Sequence, residues 1–138
     1  MPGLEALHRM ALILLAERAP RDARVLVLGA GGGMELKVFA EAKPAWEFDG
    51  VDPAAAMLRL AEATLGPLAA RVRLHEGYIE SAPAGPFDAA ACLLTLHFLP
   101  AEDRLRTLRE MHRRMRPGAP LVVAHFSFPQ GEHERSLW

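Results

Sequence analysis

The sequence predicts an α/β protein built on a doubly wound parallel sheet. Three observations carry that expectation. Strand-length runs such as Val25-Leu26-Val27-Leu28 and Ala89-Ala90-Ala91-Cys92-Leu93-Leu94 are almost wholly apolar, as strands covered on both faces are. Segments with apolar residues at helical spacing separate them, so strand and helix alternate along the chain. The first strand also runs directly into Gly29-Ala30-Gly31-Gly32-Gly33 and then into a helix-compatible stretch. Glycine lets that turn be tight and lets a ligand approach the backbone with no Cβ in the way.

Taken in order, Leu4, Leu7, Ala11, Leu14 and Leu15 follow helical spacing and predict an amphipathic packing helix within residues 1–20. A core over residues 24–128 follows. Arg24–Leu28 reads as the first strand and Met34–Ala42 as a helix ended by Pro44. Glu47–Val51 is the second strand. Pro53 sits just inside a helix that runs to about Leu65 and is stopped by Gly66-Pro67. Arg71–His75 is the third strand, and a loop rich in proline and glycine over Ser81–Pro86 leads to the fourth, Phe87–Leu94. Pro100 opens a helix with Leu105, Leu108, Met111 and Met115 on one face, closed by Pro117-Gly118. Leu121–Phe128 is the fifth strand.

The 138 residues are expected to form one domain, and a composition 51% hydrophobic and 24% charged supplies an ordinary globular core. A net charge of −1 argues against an electrostatically driven nucleic-acid or membrane binder. Cys92 is the single cysteine, so no intrachain disulfide or cysteine-built metal centre is expected, which suits a reducing, cytoplasmic setting. The apolar run Met10–Ala16 is far too short to span a bilayer. With His8-Arg9 before it the run faintly resembles a signal peptide, but its helical spacing and the lack of a small-residue cleavage site favour a packing helix.

Ligands on doubly wound sheets bind at the carboxyl ends of the strands, so the residues just after each strand are the candidates. Gly29, Gly31 and Gly33 form G-x-G-x-G, whereas the dinucleotide fingerprint G-x-G-x-x-G would need glycine where Met34 stands. That difference favours S-adenosylmethionine over NAD, although a tight strand-to-helix connection alone also wants glycine. Asp52 follows the second strand, where a carboxylate can accept both ribose hydroxyls of a cofactor. The plainer role is an N-cap with Pro53 at the first helical position, and one carboxylate can serve both.

Gly77, Tyr78 and Ile79 follow the third strand, where an adenine would lie. Tyr78 or Ile79 could wall the ring, or Ile79 could be core and Tyr78 a surface aromatic. At the end of the fourth strand the carbonyls of Leu93 and Leu94 could meet a cofactor ammonium, and His97 is the best-placed acid/base candidate, with His125 on the fifth strand as a second. Either histidine could equally be structural. His8 and Arg9 could cover the cofactor's carboxylate. Asp88, at the far end of its strand, is expected to anchor a loop, and Cys92 to fill core. The arginines from Arg104 to Arg116 read as a solvated helix face, with an RNA-binding face as the alternative. No H-E-x-x-H, P-loop lysine or nucleophile elbow is present.

Together these segments resemble class I S-adenosylmethionine-dependent methyltransferases, particularly the small-molecule type 12 and ubiquinone-biosynthesis-like branch. The family's V-L-D-L-G-x-G-x-G stands here as Val25-Leu26-Val27-Leu28-Gly29-Ala30-Gly31-Gly32-Gly33. Its ribose acid corresponds to Asp52, followed by Pro53 and Met57; F-D-x-(apolar)₄ corresponds to Phe87-Asp88 onward; L-K-P-G-G corresponds to Met115-Arg116-Pro117-Gly118-Ala119. The resemblance implies a Rossmann-like sheet of five strands in the order 3-2-1-4-5. It also implies a cofactor site of Gly29, Ala30, Gly31, Gly33, Asp52, Pro53, Met57, Gly77, Tyr78, Ile79, Leu93 and Leu94, and methyl transfer to a small-molecule acceptor.

Three departures accompany it. Val27 stands where the first motif carries an acid, and the acid near the adenine is missing at Tyr78-Ile79. The sequence also stops before the C-terminal antiparallel hairpin of the family. An apolar fifth strand at an open edge would then be covered by a second copy of the chain, or the sequence is part of a longer protein. A module that binds S-adenosylmethionine without turnover, and an NAD-dependent oxidoreductase, are the competing expectations.

Overall fold

A computed structural model describes residues 3–93 and 99–124. The five strands are β1 (Arg24–Leu28), β2 (Glu47–Asp52), β3 (Val72–Glu76), β4 (Ala89–Leu93) and β5 (Leu121–Ala124). All pair in parallel, in the order β3-β2-β1-β4-β5. The chain winds outward from β1 to β3, then returns to the other side of β1 and winds outward again. The switch point, and hence the ligand crevice, lies at the carboxyl ends of β1 and β4.

Helices α1 (Leu4–Ala16), α2 (Met34–Ala42) and α3 (Ala55–Leu65) cover one face of the sheet, and α4 (Ala101–Arg113) covers the other. The first face is sealed by Leu15, Leu36, Phe39, Trp46 and Phe48, the second by Leu26, Ile79, Phe87 and Met111. Every residue of β4 is buried, which is why that strand reads as a continuous apolar run. Cys92 packs within the second cluster, as expected of core filler.

Most elements fall where the sequence puts them; β2 runs one residue further, to Asp52, the end of β5 expected at Phe128 lies outside the described residues, and four others differ. The helix after β2 starts at Ala55 with Ala54 as N-cap, so Pro53 precedes the helix instead of opening it and Asp52 is not its cap. The cause lies in Asp52, whose Oδ1 accepts the Ala54 N–H at 2.9 Å while Oδ2 turns to the glycine loop. Strand β3 is shifted by one residue, because Arg71 ends a 3-10 helix over Gly66–Arg71. Phe87 contributes only an isolated bridge to Met115, ahead of β4. In α4 the buried stripe is Thr107 and Met111, with Leu108 partly buried, and Met115 lies past the end of the helix, bridging to Phe87; Leu105, two residues before Thr107, points about 200° away and is exposed.

Polar ties hold the frame. Arg71 donates to the carbonyls of Ala40, Lys43 and Trp46, closing the open end of α2. Asp88 accepts the Arg24 N–H at 2.9 Å and pairs with Arg116 at 2.8 Å, the anchoring expected of it. Fully buried Asp49 meets His75 at 2.9 Å, Arg24 at 3.3 Å and Arg73 at 3.5 Å. The Arg24 guanidinium also lies 4.7 Å from the centre of the Phe87 ring.

Candidate functional site

At the switch point the strand ends open into a cleft of about 390 Å³, within the range of small-molecule sites. Its wall includes Gly29, Gly31, Asp52, Pro53, Gly77, Tyr78, Ile79 and Leu93, eight of the twelve residues expected to hold a cofactor. Ala30, Gly33 and Met57 stand behind or beside it. Leu94, His97 and His125 lie outside the described residues.

The glycine turn follows directly from β1 and is closed by its own amides. Those of Gly29 and Ala30 donate to the Val51 carbonyl, that of Gly33 to Ala30, and that of Gly31 to Asp52 Oδ2 at 2.9 Å. Four of its five N–H groups are therefore spent within the protein, and the open donors are those of Gly32 and of Met34, Glu35 and Leu36 in the first turn of α2. What Gly29 and Gly31 offer the cleft is bare Cα surface. Gly33 has φ 86°, and a Cβ there would lie 2.9 Å from Ala61 Cα. Its glycine thus serves the approach of α3 to the turn. Met57, on the first turn of α3, sits over the loop beside Gly31 and Gly32.

Asp52 occupies the middle of the cleft. Each carboxylate oxygen accepts one backbone N–H, from Ala54 and from Gly31. A carboxylate offers about four lone-pair positions, so roughly two remain, one on each oxygen, for a pair of adjacent hydroxyls. The turn and the carboxylate are thus one unit before any ligand arrives.

Beyond Asp52, the Gly77 N–H is held by the Asp52 carbonyl at 3.0 Å, so this amide is not available to a ring edge. Ile79 begins a 3-10 helix over Ile79–Ser81, whose first amide has no acceptor within the helix. The Ile79 side chain is buried and still forms part of the cleft floor, while Tyr78 is 56% exposed at the rim. Core and cleft roles therefore coincide at Ile79.

The sequence did not single out Leu28, Val51, Leu99 or Thr107, which complete the wall. Thr107 is the least obvious: it lies on α4, and its buried hydroxyl has no hydrogen-bond partner among the described residues. A lone threonine on an arginine-rich helix carries no pattern that could have marked it. The arginines of that helix are largely committed elsewhere. Arg104 donates to the Leu99 carbonyl, Arg106 pairs with Glu80 and Asp103, and Arg113 and Arg114 pair with Glu110, holding its carboxyl below the ordinary range. That is the solvated, self-paired face, not a free basic strip. Among the described residues, no group of His, Cys, Asp or Glu side chains could hold a metal ion, and no helix is long and apolar enough to cross a membrane.

Two further ionisable groups are buried beside the glycine turn. Glu35, in the first turn of α2, is 5% exposed, and burial pushes its carboxyl well above the ordinary range. His8 of α1 is buried near Met34 and Lys37, and burial holds its imidazole below its ordinary value.

This strand order and cleft match a known family. The methyltransferase domain family matches residues 25–118, and the chain belongs to the class I S-adenosylmethionine-dependent methyltransferases. It is 32% identical over 106 residues to a ubiquinone/menaquinone biosynthesis C-methyltransferase of Syntrophotalea carbinolica, covering 77% of this chain and 45% of that protein. It is 33% identical over 129 residues to a carboxy-S-adenosyl-L-methionine synthase of Chromohalobacter salexigens, covering 90% of this chain and 47% of that protein. Among solved structures, an S-adenosylmethionine-bound amino pentose methyltransferase from Micromonospora echinaspora superposes with TM-score 0.76 at 30% identity, over 91% of this chain and 52% of that one. The chain thus spans about half the length of these relatives.

Proposed function

We propose that this chain binds S-adenosyl-L-methionine in the cleft and transfers its methyl group to a small-molecule acceptor. The observation that carries the reading is Asp52, fixed against the glycine turn at 2.9 Å with a free lone-pair position on each oxygen. A ribose over Asp52 puts adenine above Ile79, where the first amide of the 3-10 helix can donate to its edge. The other end of the cofactor then runs over Gly29 toward Leu93. Met34, standing where the dinucleotide fingerprint needs glycine, disfavours a dinucleotide and with it the NAD-dependent oxidoreductase.

A bound S-adenosylmethionine supplies an electrophilic methyl group, whose transfer leaves a neutral thioether as the carbon–sulfur electron pair returns to sulfur. The chain's contribution is position. Asp52 and Ile79 fix the nucleoside, and Leu28, Val51 and Leu93 keep water from the cleft floor. In-line placement of the acceptor supplies most of the rate gain. A hydroxyl or protonated amine must also lose a proton, and we assign that to His97 or His125 from their positions in the sequence, which follow β4 and β5. A small acceptor is supported by the relatives, which act on a quinone precursor and an amino sugar according to their names. The proposal includes a cytoplasmic setting and a second copy against the outer edge of β5, which sedimentation would read as a dimer.

Calorimetric titration tests the reading. S-adenosylhomocysteine should bind and NAD should not, and Asp52→Ala should lose most of the affinity. Unchanged affinity in that variant would sink the ribose assignment. Binding without turnover on any acceptor would leave the chain as a binding module.

A further inference from the structure

The amino-acid end of the cofactor carries an ammonium, and the structure holds a buried carboxyl with nothing to bind. Glu35 is 5% exposed, accepts no hydrogen bond and joins no ion pair among the described residues. The other buried carboxylate, Asp49, is surrounded by Arg24, Arg73 and His75. A buried carboxyl without a partner is costly, so a position like that of Glu35 calls for an occupant of opposite charge.

Its place in the fold says which occupant. Glu35 is the second residue of α2, directly after the glycine turn, and helical side chains lean back toward the N-terminus of their helix. Its Cα–Cβ bond therefore tilts toward Gly29–Gly33 and the end of β1, just behind the cleft wall, of which Glu35 is not itself a part. With ribose on Asp52 and adenine by Ile79, the remaining arm of the cofactor crosses that same strand end toward β4. Val27 leaves the adjacent strand end without a carboxylate. The positive end of α2 favours the ionised form of Glu35 once a cation is present.

We propose that Glu35 is the carboxylate that receives the cofactor's α-ammonium group. This rests on the proposed cofactor, and its test keeps the two apart. The probes are S-adenosylhomocysteine, its des-amino analogue, and 5′-methylthioadenosine, which has the nucleoside and sulfur but no amino-acid end. The wild-type chain should bind S-adenosylhomocysteine at least tenfold more tightly than the des-amino analogue. Glu35→Gln, which keeps the shape and a neutral group, should lose that preference. It should bind 5′-methylthioadenosine within twofold of wild type, showing that the nucleoside half of the site is intact.

Equal weakening toward all three probes, or no weakening at all, overturns the role of Glu35. Should Glu35→Gln fail to fold, the wild-type comparison still decides: no preference for the amino group over the des-amino analogue overturns the proposal. A wild-type chain that binds neither S-adenosylhomocysteine nor 5′-methylthioadenosine overturns the cofactor reading itself, and Glu35 with it.

Discussion

Asp52 Oδ2 accepts the Gly31 N–H at 2.9 Å, joining the end of β2 to the glycine turn after β1. A residue of the cleft wall is therefore also a bracket between two strand ends. Removing it should be felt twice. Asp52→Ala should weaken S-adenosylhomocysteine and 5′-methylthioadenosine alike, by about 10- to 100-fold, as loss of hydrogen bonds to a charged group does. It should also lower stability by about 1 kcal/mol or more, because the Gly31 amide loses its acceptor. Titration of both ligands and urea denaturation read the two effects separately.

Gly33 is tested through packing. Alanine there must adopt φ 86° and place a Cβ 2.9 Å from the Ala61 backbone. Gly33→Ala should cost about 2–4 kcal/mol, because strain and overpacking combine, and urea unfolding measures it. Ala61→Gly should restore only part of the loss, since the contact includes the Ala61 Cα.

Asp49→Ala removes a fully buried carboxylate from two arginines and a histidine. Breaking a buried pair costs about 3–5 kcal/mol, and the partial exposure of Arg24 and Arg73 should bring this case to roughly 2–3 kcal/mol. Thermal unfolding would register the loss. A variant as stable as wild type would show that the cluster contributes nothing net.

The raised pKa of Glu35 has a definite sign. The folded chain holds this proton more tightly than the unfolded chain, whose carboxyl titrates near 4.5. The contribution to stability is complete below pH 4.5 and is lost as the pH rises through the folded value. Wild type should therefore lose stability relative to Glu35→Gln as the pH rises, by up to about 1.4 kcal/mol per pH unit in that window. The difference between the chains cancels the opposite trend from His8, whose depressed value costs stability as the pH falls. Denaturation series at several pH values check it, and parallel curves would contradict the shift.

How much of this was legible in the sequence depends on how local the cause is. β1 and α2 have the bounds that Arg24–Leu28 and Met34–Ala42 suggest, because apolar runs and glycine act on their own neighbourhood. Asp52 was legible as a residue at the cleft but not as a bracket to Gly31, because that bond joins residues 21 positions apart. Arg71 reads as the start of a strand, yet it ties three carbonyls around the end of α2, a role set by tertiary distance. The Asp49 cluster was invisible for the same reason, as was Thr107, a polar residue on a face that the pattern of Leu105, Leu108 and Met111 assigned to leucine and methionine. Nothing in the sequence marks Glu35, one acidic residue in the first turn of α2. Only its burial made it conspicuous.

Tyr78 is the sole tyrosine of the chain, and it stands at the rim of the cleft. A single fluorotyrosine introduced by biosynthetic labelling would thus give one fluorine resonance, placed at the rim of the cleft. Its line position would report occupancy of the proposed nucleoside half, without a mutation and without an assay for turnover. The chain thus carries its own spectroscopic probe at the edge of the cleft.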